Sequence, residues 1–393
     1  MRALRNPAAV RRNNMELLLD LIESTGPISR AELSRVTGLS QPTVCAGAEG
    51  LARAGLIRVQ GAGDSTGGRR PVLLRFNPGA GYAIGVDLGG TSLKLALTDL
   101  GGRVVHRLDE PTPNPKSGPA SAVAAIIAAV ERLVQEAEVR WEEVLGLGVG
   151  APGATDAETG QVTLAPAVGW EQTPVKQLLS ERFRVPCRVE NDVNAAALAE
   201  ILFGRGKELA DFVFVAIGTG IGAGIVIDGK LHRGRHCAAG EVGYLVIDHA
   251  WRPETVGGFG CFESMAAAPA IARKAREVIP ELADGGPAGE VEALFGLARQ
   301  GHPAANRVVD EIAGYMGAAL ANLAVTLDPA AIILGGGVSR AGEVLIEPVR
   351  RKLQELSPLV PEVCVSSLGA EAGMLGAAAL AVEAAKERLL SAV

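Results

Sequence analysis

Over the first 80 residues, apolar positions recur at helical spacing. Met15, Leu18, Leu21 and Ile22 predict one face of a helix over 14–25, stopped by Gly26 and Pro27. Ala31, Leu33 and Val36 predict the buried side of a second, shorter helix, with Gly38 in the turn after it. Ser40 predicts an N-cap, Pro42 sits in the first turn where a missing N–H costs little, and Val44, Ala48 and Leu51 predict the stripe of a third helix. This is helix-turn-helix spacing, and its second helix would present Gln41, Pro42 and Thr43 to a major groove. The period then changes to that of strands at Leu56–Val59 and Val72–Phe76, around a Gly-rich tip carrying Gly68, Arg69 and Arg70. Such a tip alone reads as a solvated turn. Directly after a helix-turn-helix it reads as a wing that sets guanidinium groups on phosphates or in the minor groove.

Residues 79–81 read as a hinge, and beyond them the pattern repeats. The stretch YAIGVDLGGTSLKLALTDLGGRVV reads as strand, Gly-Thr turn, strand, Gly turn, strand, and FVFVAIGTGIGAGIVIDGKL repeats it about 130 residues later. Two such units, each followed by helical segments, predict a duplicated α/β fold with a cleft between lobes. Glycines in these turns let backbone N–H groups approach phosphate oxygens, and Thr91 and Thr219 add hydroxyls. The candidates for a nucleotide site are Asp87, Gly89, Gly90 and Thr91, then Gly218, Thr219 and Gly220, with a third loop at Gly335, Gly336 and Gly337. Asp87 is placed to orient a hydrated magnesium ion. Further along, VPCRVENDVNAAALAEILF reads as a strand, a polar turn and an Ala-rich helix starting near Asp192. That carboxylate reads either as a general base on an acceptor hydroxyl or as a plain N-cap.

Composition narrows the function classes. The division expected is 1–78, 79–200 and 201–393: a DNA-binding module and two lobes. The first 78 residues hold 11 Arg, no Lys and 6 acidic groups, whereas the whole chain has a net charge of −6. A basic end on an acidic body is the asymmetry expected when one end alone touches nucleic acid. The chain has no unbroken apolar run of bilayer length and no secretory h-region, and its five cysteines are scattered. These features predict a reducing, cytoplasmic setting and no membrane partner.

Taken together, DLGGT at 87–91, APG at 151–153, END at 190–192, GTGIG at 218–222, AAGE at 238–241 and GCFE at 260–263 resemble the ROK family (repressors, open reading frames and kinases). With the GGRRP wing, they resemble its regulator branch. The resemblance implies an α/β chain: an N-terminal winged helix-turn-helix on a two-lobed, actin-like sugar-kinase domain (a ribonuclease H-like duplicated fold). It implies Asp192 as catalytic base, Asn191, Glu241 and Glu263 as sugar contacts, and ATP with magnesium as candidate cofactors. Operator DNA, a sugar or sugar derivative, and a second copy of the chain (a homodimer or a dimer of dimers) are the implied partners. Three positions depart from the family pattern: Tyr244 replaces a His that contacts sugar and zinc, Cys261 alone remains of a Cys-rich zinc run, and Ala167 replaces an Asn in a second sugar loop. Cys237, His236 and His249 match no metal-ligand spacing, so zinc is expected to be absent. The expected function is a sugar-responsive transcription regulator, a repressor, with ATP-dependent sugar kinase activity as the alternative.

Overall fold

The structure, a computed structural model, describes residues 7–62, 72–114, 118–165, 168–252, 260–282 and 286–393. Helix α1 (Pro7–Thr25) is followed by β1 (Ile28–Ser29), α2 (Arg30–Thr37), α3 (Gln41–Arg53), β2 (Ile57–Ala62) and β3 (Val72–Phe76). The strands form a small sheet in the order β1-β3-β2. Ser40 caps α3 and Gly38 closes α2 at φ 70°, as the sequence predicts, with Ser40 accepting from the Thr43 N–H; Ser29, which the sequence reading did not single out, caps α2 by accepting from the Glu32 N–H. Glycines on α3 admit α1 closely, because a Cβ at Gly47 would lie 2.6 Å from Leu18 Cδ1 and one at Gly50 2.8 Å from Met15 Sδ.

Three expectations for this module change. α1 begins at Pro7, well before residue 14, and an Arg12–Glu16 pair one turn apart supports the added length. Its buried face takes Leu19 and leaves Leu21 half-buried. In α2 only Leu33 is buried, Ala31 is exposed and Val36 is 53% exposed. At 100° per residue Ala31 points away from Leu33, so the three never shared a face. Gly68, Arg69 and Arg70 lie outside the described residues.

The body opens with β4 (Tyr82–Leu88), β5 (Ser92–Asp99), β6 (Val104–Pro111), α4 (Pro119–Glu136), β7 (Val144–Ala151), β8 (Ala154–Asp156), β9 (Gln161–Ala165), β10 (Trp170–Thr173), α5 (Val175–Phe183), β11 (Cys187–Asn191) and α6 (Asp192–Phe203). The second half supplies β12 (Phe212–Ile217), β13 (Ile221–Ile227), β14 (Lys230–His232), α7 (Cys261–Ala266), α8 (Ala268–Val278), α9 (Gly286–Arg299), α10 (Pro303–Leu327), β15 (Ala331–Gly335), α11 (Glu343–Leu356), β16 (Glu362–Val365) and α12 (Ala372–Ser391). The two five-stranded sheets run β11-β7-β4-β5-β6 and β14-β13-β12-β15-β16. Each consists of an antiparallel three-strand meander extended by two parallel strands, so the repeat seen in sequence is a repeat of topology. The parallel strands β7 and β15 are buried at every position, as strands covered on both faces must be. Among the described residues, α10 is long and apolar enough to cross a membrane. Its apolar side, with Val308, Ile312, Met316 and Leu320, is instead the core of the second lobe.

The last helix leaves the second sheet and packs on the first. A Cβ at Gly85 of β4 would lie 2.3 Å from Ala378 N, one at Gly146 of β7 2.4 Å from Ala381 O, and one at Gly148 2.1 Å from Ala377 O. On the helix itself, a Cβ at Gly376 would lie 1.7 Å from Ala195 O of α6. The C-terminal half of α12 then joins the core of the N-terminal module: Ala381, Val382, Ala385 and Leu390 cluster with Met15, Leu18, Leu51 and Phe76. Lys386 adds hydrogen bonds to Glu23 at 2.7 and 2.8 Å. The segment expected to be a hinge at 79–81 is accordingly fixed, with Pro78 O accepting from Leu100 N–H and Gly81 set against Leu145.

This packing has a stability signature. Gly148→Ala is expected to lower unfolding free energy by about 1–3 kcal/mol, the usual effect of an extra methyl in a full core. Gly296→Ala, inside α9 with open space at its Cβ position, is expected to raise it by up to about 1 kcal/mol through helix propensity. Urea denaturation of both variants checks the pair, and a neutral Gly148→Ala would contradict the close approach.

Candidate functional site

The carboxyl ends of β4, β7 and β11 lie side by side, with Asp87 paired in register to Gly150 and Asn191 to Ala151. Crevices beyond such strand ends are where open α/β sheets bind ligands. Asn191 caps α6: its Oδ1 accepts from the N–H groups of Val193 and Asn194 at 3.0 Å each. Its Nδ2 donates to Gly153 O and to Asp192 Oδ1, both at 3.1 Å. Of the two sequence readings of Asp192, the cap thus falls to its neighbour. Asp192 is the first helical residue, and its Oδ1 accepts from Val193 N–H at 2.9 Å. Asn191 has all four of its hydrogen-bonding positions engaged, so a sugar hydroxyl reaching it must share one of them.

Two acids at this site are held well above the ordinary carboxylate range. Burial, followed by the negative charge of Asp87, pushes Asp192 up to about 7, with Glu241 adding to the effect. Burial raises Asp87 to about 6 against the opposing charge of Lys94. Gly373 at the start of α12 lies against Asp87, since a Cβ there would be 2.6 Å from Asp87 Oδ2.

Glycines also place the acids of the second lobe. Gly240 sits directly on β13 at φ 95°, where a Cβ would lie 1.8 Å from Ala223 O, and its own carbonyl accepts from Ala223 N–H. That fixes the start of the segment carrying Glu241. Gly260 packs on Gly243 O, so α7 begins there and presents Glu263, whose Oε2 accepts from Ile221 N–H at 2.7 Å. Loss of hydration raises the pKa of both Glu241 and Glu263, and the charge of Glu263 raises Glu241 further. Tyr244 is 53% exposed next to this pair.

Of the three glycine loops, Gly218–Gly220 and Gly335–Gly337 stand together, after the adjacent parallel strands β12 and β15. Gly336 takes φ 79°, where a Cβ would strike Ile217 O at 2.4 Å. The first loop, Gly89 to Thr91, closes the β4–β5 hairpin of the other sheet. Thr91 and Thr219 are both exposed at these turns, and no atom lies within 4 Å of a Cβ built at Gly218 or Gly337. Open glycine backbone with flanking hydroxyls fits nucleotide phosphates, and Asp87 fits a hydrated magnesium. In the N-terminal module, Gln41 and Pro42 are exposed at the start of α3, and the Thr43 hydroxyl pairs with that of Ser40 at 2.8 Å. Ala167 lies outside the described residues. Among the described residues no three His, Cys, Asp or Glu side chains converge as metal ligands.

Sequence reasoning missed one pair. Glu190 is 1% exposed and holds Asn191 N–H and Asn194 Nδ2 on Oε1, while Arg233 Nε, from the segment after β14, donates to Oε2 at 2.7 Å. This ion pair ties the two lobes directly behind Asp192. Glu190 was visible as the first letter of END, but Arg233 lies 43 residues away with no spacing to mark it.

Comparison with known proteins agrees with this architecture. The ROK family profile matches residues 83–384. A xylose repressor of Caldicellulosiruptor bescii is 30% identical over 390 residues, covering 96% of this chain and 97% of the relative. A solved ROK family transcriptional regulator, described as a homologue of the E. coli MLC protein, superposes with a TM-score of 0.83 at 28% identity and covers 98% of both chains. A ROK family glucokinase from Streptomyces griseus, solved with glucose and AMPPNP, has a TM-score of 0.66 at 34% identity; it covers 77% of this chain and 100% of its own.

The raised acids make stability depend on pH with a definite sign. A carboxyl whose folded pKa exceeds its unfolded value binds more protons in the folded state, so stability falls as pH rises between the two values. For Asp192 the window runs from about 4 to about 7, and for Asp87 to about 6. Asp192→Asn, which cannot charge, is expected to be more stable than wild type at pH 8 by roughly 2–4 kcal/mol. The gap should narrow as pH falls through 7 toward 4. Melting curves at pH 5 and pH 8 check this, and a gap larger at pH 5 would reverse the assignment.

Proposed function

The chain belongs to the ROK family, and on that premise we propose that it is a sugar-responsive DNA-binding transcription regulator, a repressor. The observation that carries this reading is the extent of the matches. The repressor and regulator relatives align from end to end, whereas the glucokinase aligns only with the body, leaving out a winged helix that a kinase does not need. In this reading Gln41, Pro42 and Thr43 meet base edges or the groove wall, and the wing at Gly68, Arg69 and Arg70 meets phosphates. A homodimer would set two recognition helices on half-sites about one DNA turn apart.

The effector is a neutral polyhydroxylated sugar held by Asp192, Glu241 and Glu263, with Asn191 and Tyr244 beside them. Carboxylates accept hydroxyl protons, so several convergent acids suit a polyol and repel an anion. Asp87, Gly89, Gly90, Thr91, Gly218, Thr219, Gly220, Gly335, Gly336 and Gly337 are the residues that would hold a magnesium nucleotide, which when bound supplies a transferable phosphoryl group. A second reading, sugar kinase activity, is favoured by Asp192: burial puts its pKa at about 7, where it can take a proton from a sugar hydroxyl at neutral pH. No step is assigned to zinc.

Two measurements test the reading. Operator sequences selected in vitro should bind the full chain at nanomolar concentration. Arg69→Ala with Arg70→Ala should weaken that binding and reduce the salt slope by about one to two counterions. Unchanged affinity and slope would remove the wing from the interface. A panel of pentoses, hexoses and amino sugars should then shift operator affinity, and the shift should be lost in Asp192→Ala. Phosphorylation of the same sugar at about 1–100 per second, abolished by Asp192→Ala, would establish the kinase reading instead.

A further inference from the structure

A second cavity, of about 400 Å³, lies outside the cleft between α5, the edge strand β11 and α12. Lys176, Ser180, Arg188 and Arg233 line it on one side, and Leu380 and Glu387 of α12 lie on the other. The volume is that of a small-molecule site. Its cations are only partly satisfied. Lys176 Nζ donates to Glu158 O at 2.8 Å and has no carboxylate within 4.0 Å among the described residues. Arg233 uses Nε on the buried Glu190, and none of the hydrogen bonds among the described residues engages its two terminal nitrogens. Arg188 is held by Glu383 at 2.8 Å and Glu387 at 2.6 Å, both on α12.

We propose that this cavity binds a small phosphorylated metabolite through Lys176, Ser180, Arg188 and Arg233, in competition with Glu387 for Arg188. Guanidinium and ammonium groups around a hydroxyl are the donor set for a phosphate dianion, which Arg grips in bidentate fashion. The acids Asp192, Glu241 and Glu263 at the proposed sugar site are a poor host for the same charge, so that site and this cavity sort ligands by charge. Glu387 also stands 4.0 Å from Arg12 of α1. A phosphate that displaces Glu387 from Arg188 frees it for Arg12, and so alters the contact between α12 and the DNA-binding module.

Calorimetry on the full chain with glucose 6-phosphate, inorganic phosphate and glucose tests this. Glucose 6-phosphate should bind with at least tenfold weaker affinity in Lys176→Glu and with unchanged affinity in Asp192→Asn. Binding of free phosphate as tight as that of the ester would assign the site to phosphate itself; tighter binding of the ester would assign it to the sugar phosphate. Should Lys176→Glu fail to fold, Ser180→Asp sets a carboxylate in the same cavity and carries the same expectation. Ester binding lost in Asp192→Asn would place the ligand in the cleft and overturn the proposal. So would affinity unchanged in Lys176→Glu, or no heat at millimolar ester. Operator affinity should change at least threefold with saturating ester in wild type and not in Glu387→Gln, and no change in wild type would overturn the competition for Arg188.

Discussion

The structure depends on one helix lying on a floor without side chains. α12 can approach β4 and β7 only because Gly85, Gly146 and Gly148 remove the Cβ atoms that its backbone would otherwise meet within 2.1–2.4 Å. Interiors packed at crystal density transmit displacement, because there is no free volume to absorb it. The consequence is positional. The N-terminal turn of α12 sets Gly373 against the Asp87 carboxylate, its middle sets Gly376 against α6 just behind Asp192, and its last turns enter the core formed by α1, α3 and β3. One rigid element therefore touches the cleft floor, the helix that carries the buried acid, and the module that carries the recognition helix.

Charge at the cleft follows from the same arrangement. Asp87 and Asp192 lie half-buried among strand ends and helix starts, where lost hydration raises both, and the charge of Asp87 raises the cost of ionising Asp192 further. Lys94 opposes this at Asp87, while at Asp192 no cation among the described residues does so, only neutral N–H donors from the backbone and from Asn191. A hydroxyl-rich neutral ligand would supply the missing hydrogen-bond donors. The glycine loops handle negative charge differently, through exposed backbone N–H groups that add no formal charge to the cleft.

Much of this was legible in the sequence, for identifiable reasons. Duplicated meanders betray themselves because each sets two mainly apolar strands on either side of a Gly-Thr turn, and both copies fold as read. Ser40 and Gly38 were predictable as helix ends because capping is local chemistry within three or four residues. What escaped was non-local. Whether Asn191 or Asp192 capped α6 depended on where Gly153 O lay, 38 residues earlier in the chain. The proposed hinge at 79–81 failed to account for Leu145 and Leu100, which pin it. Reading 201–393 as one lobe gave no sign that its last helix returns to the first sheet, since the cue lies in glycines of β4 and β7 that read equally well as strand interior. Val36 shows the opposite error, an apolar residue read as core from its helical spacing to Leu33 that the structure leaves 53% exposed on a helix only eight residues long.

The energy available for signalling through α12 limits how it can work. Moving a two-state equilibrium from 1:99 to 99:1 takes about 5.5 kcal/mol of differential binding. The ionic contacts between α12 and the DNA-binding module, Lys386 with Glu23 and Glu387 with Arg12, are at least partly exposed and contribute up to about 1 kcal/mol each. Together they can tune such a switch but not drive it. The larger reserve is apolar: Ala381, Val382, Ala385, Leu389 and Leu390 pack with Met15, Leu18, Leu51 and Phe76 in one cluster. Burial at about 25 cal/mol per Å² makes even a partial change in that contact worth several kcal/mol. Ligand binding in the cleft would thus act on DNA by shifting α12 as a body within this cluster, and the charged contacts at its rim would set how far the balance leans before any sugar arrives.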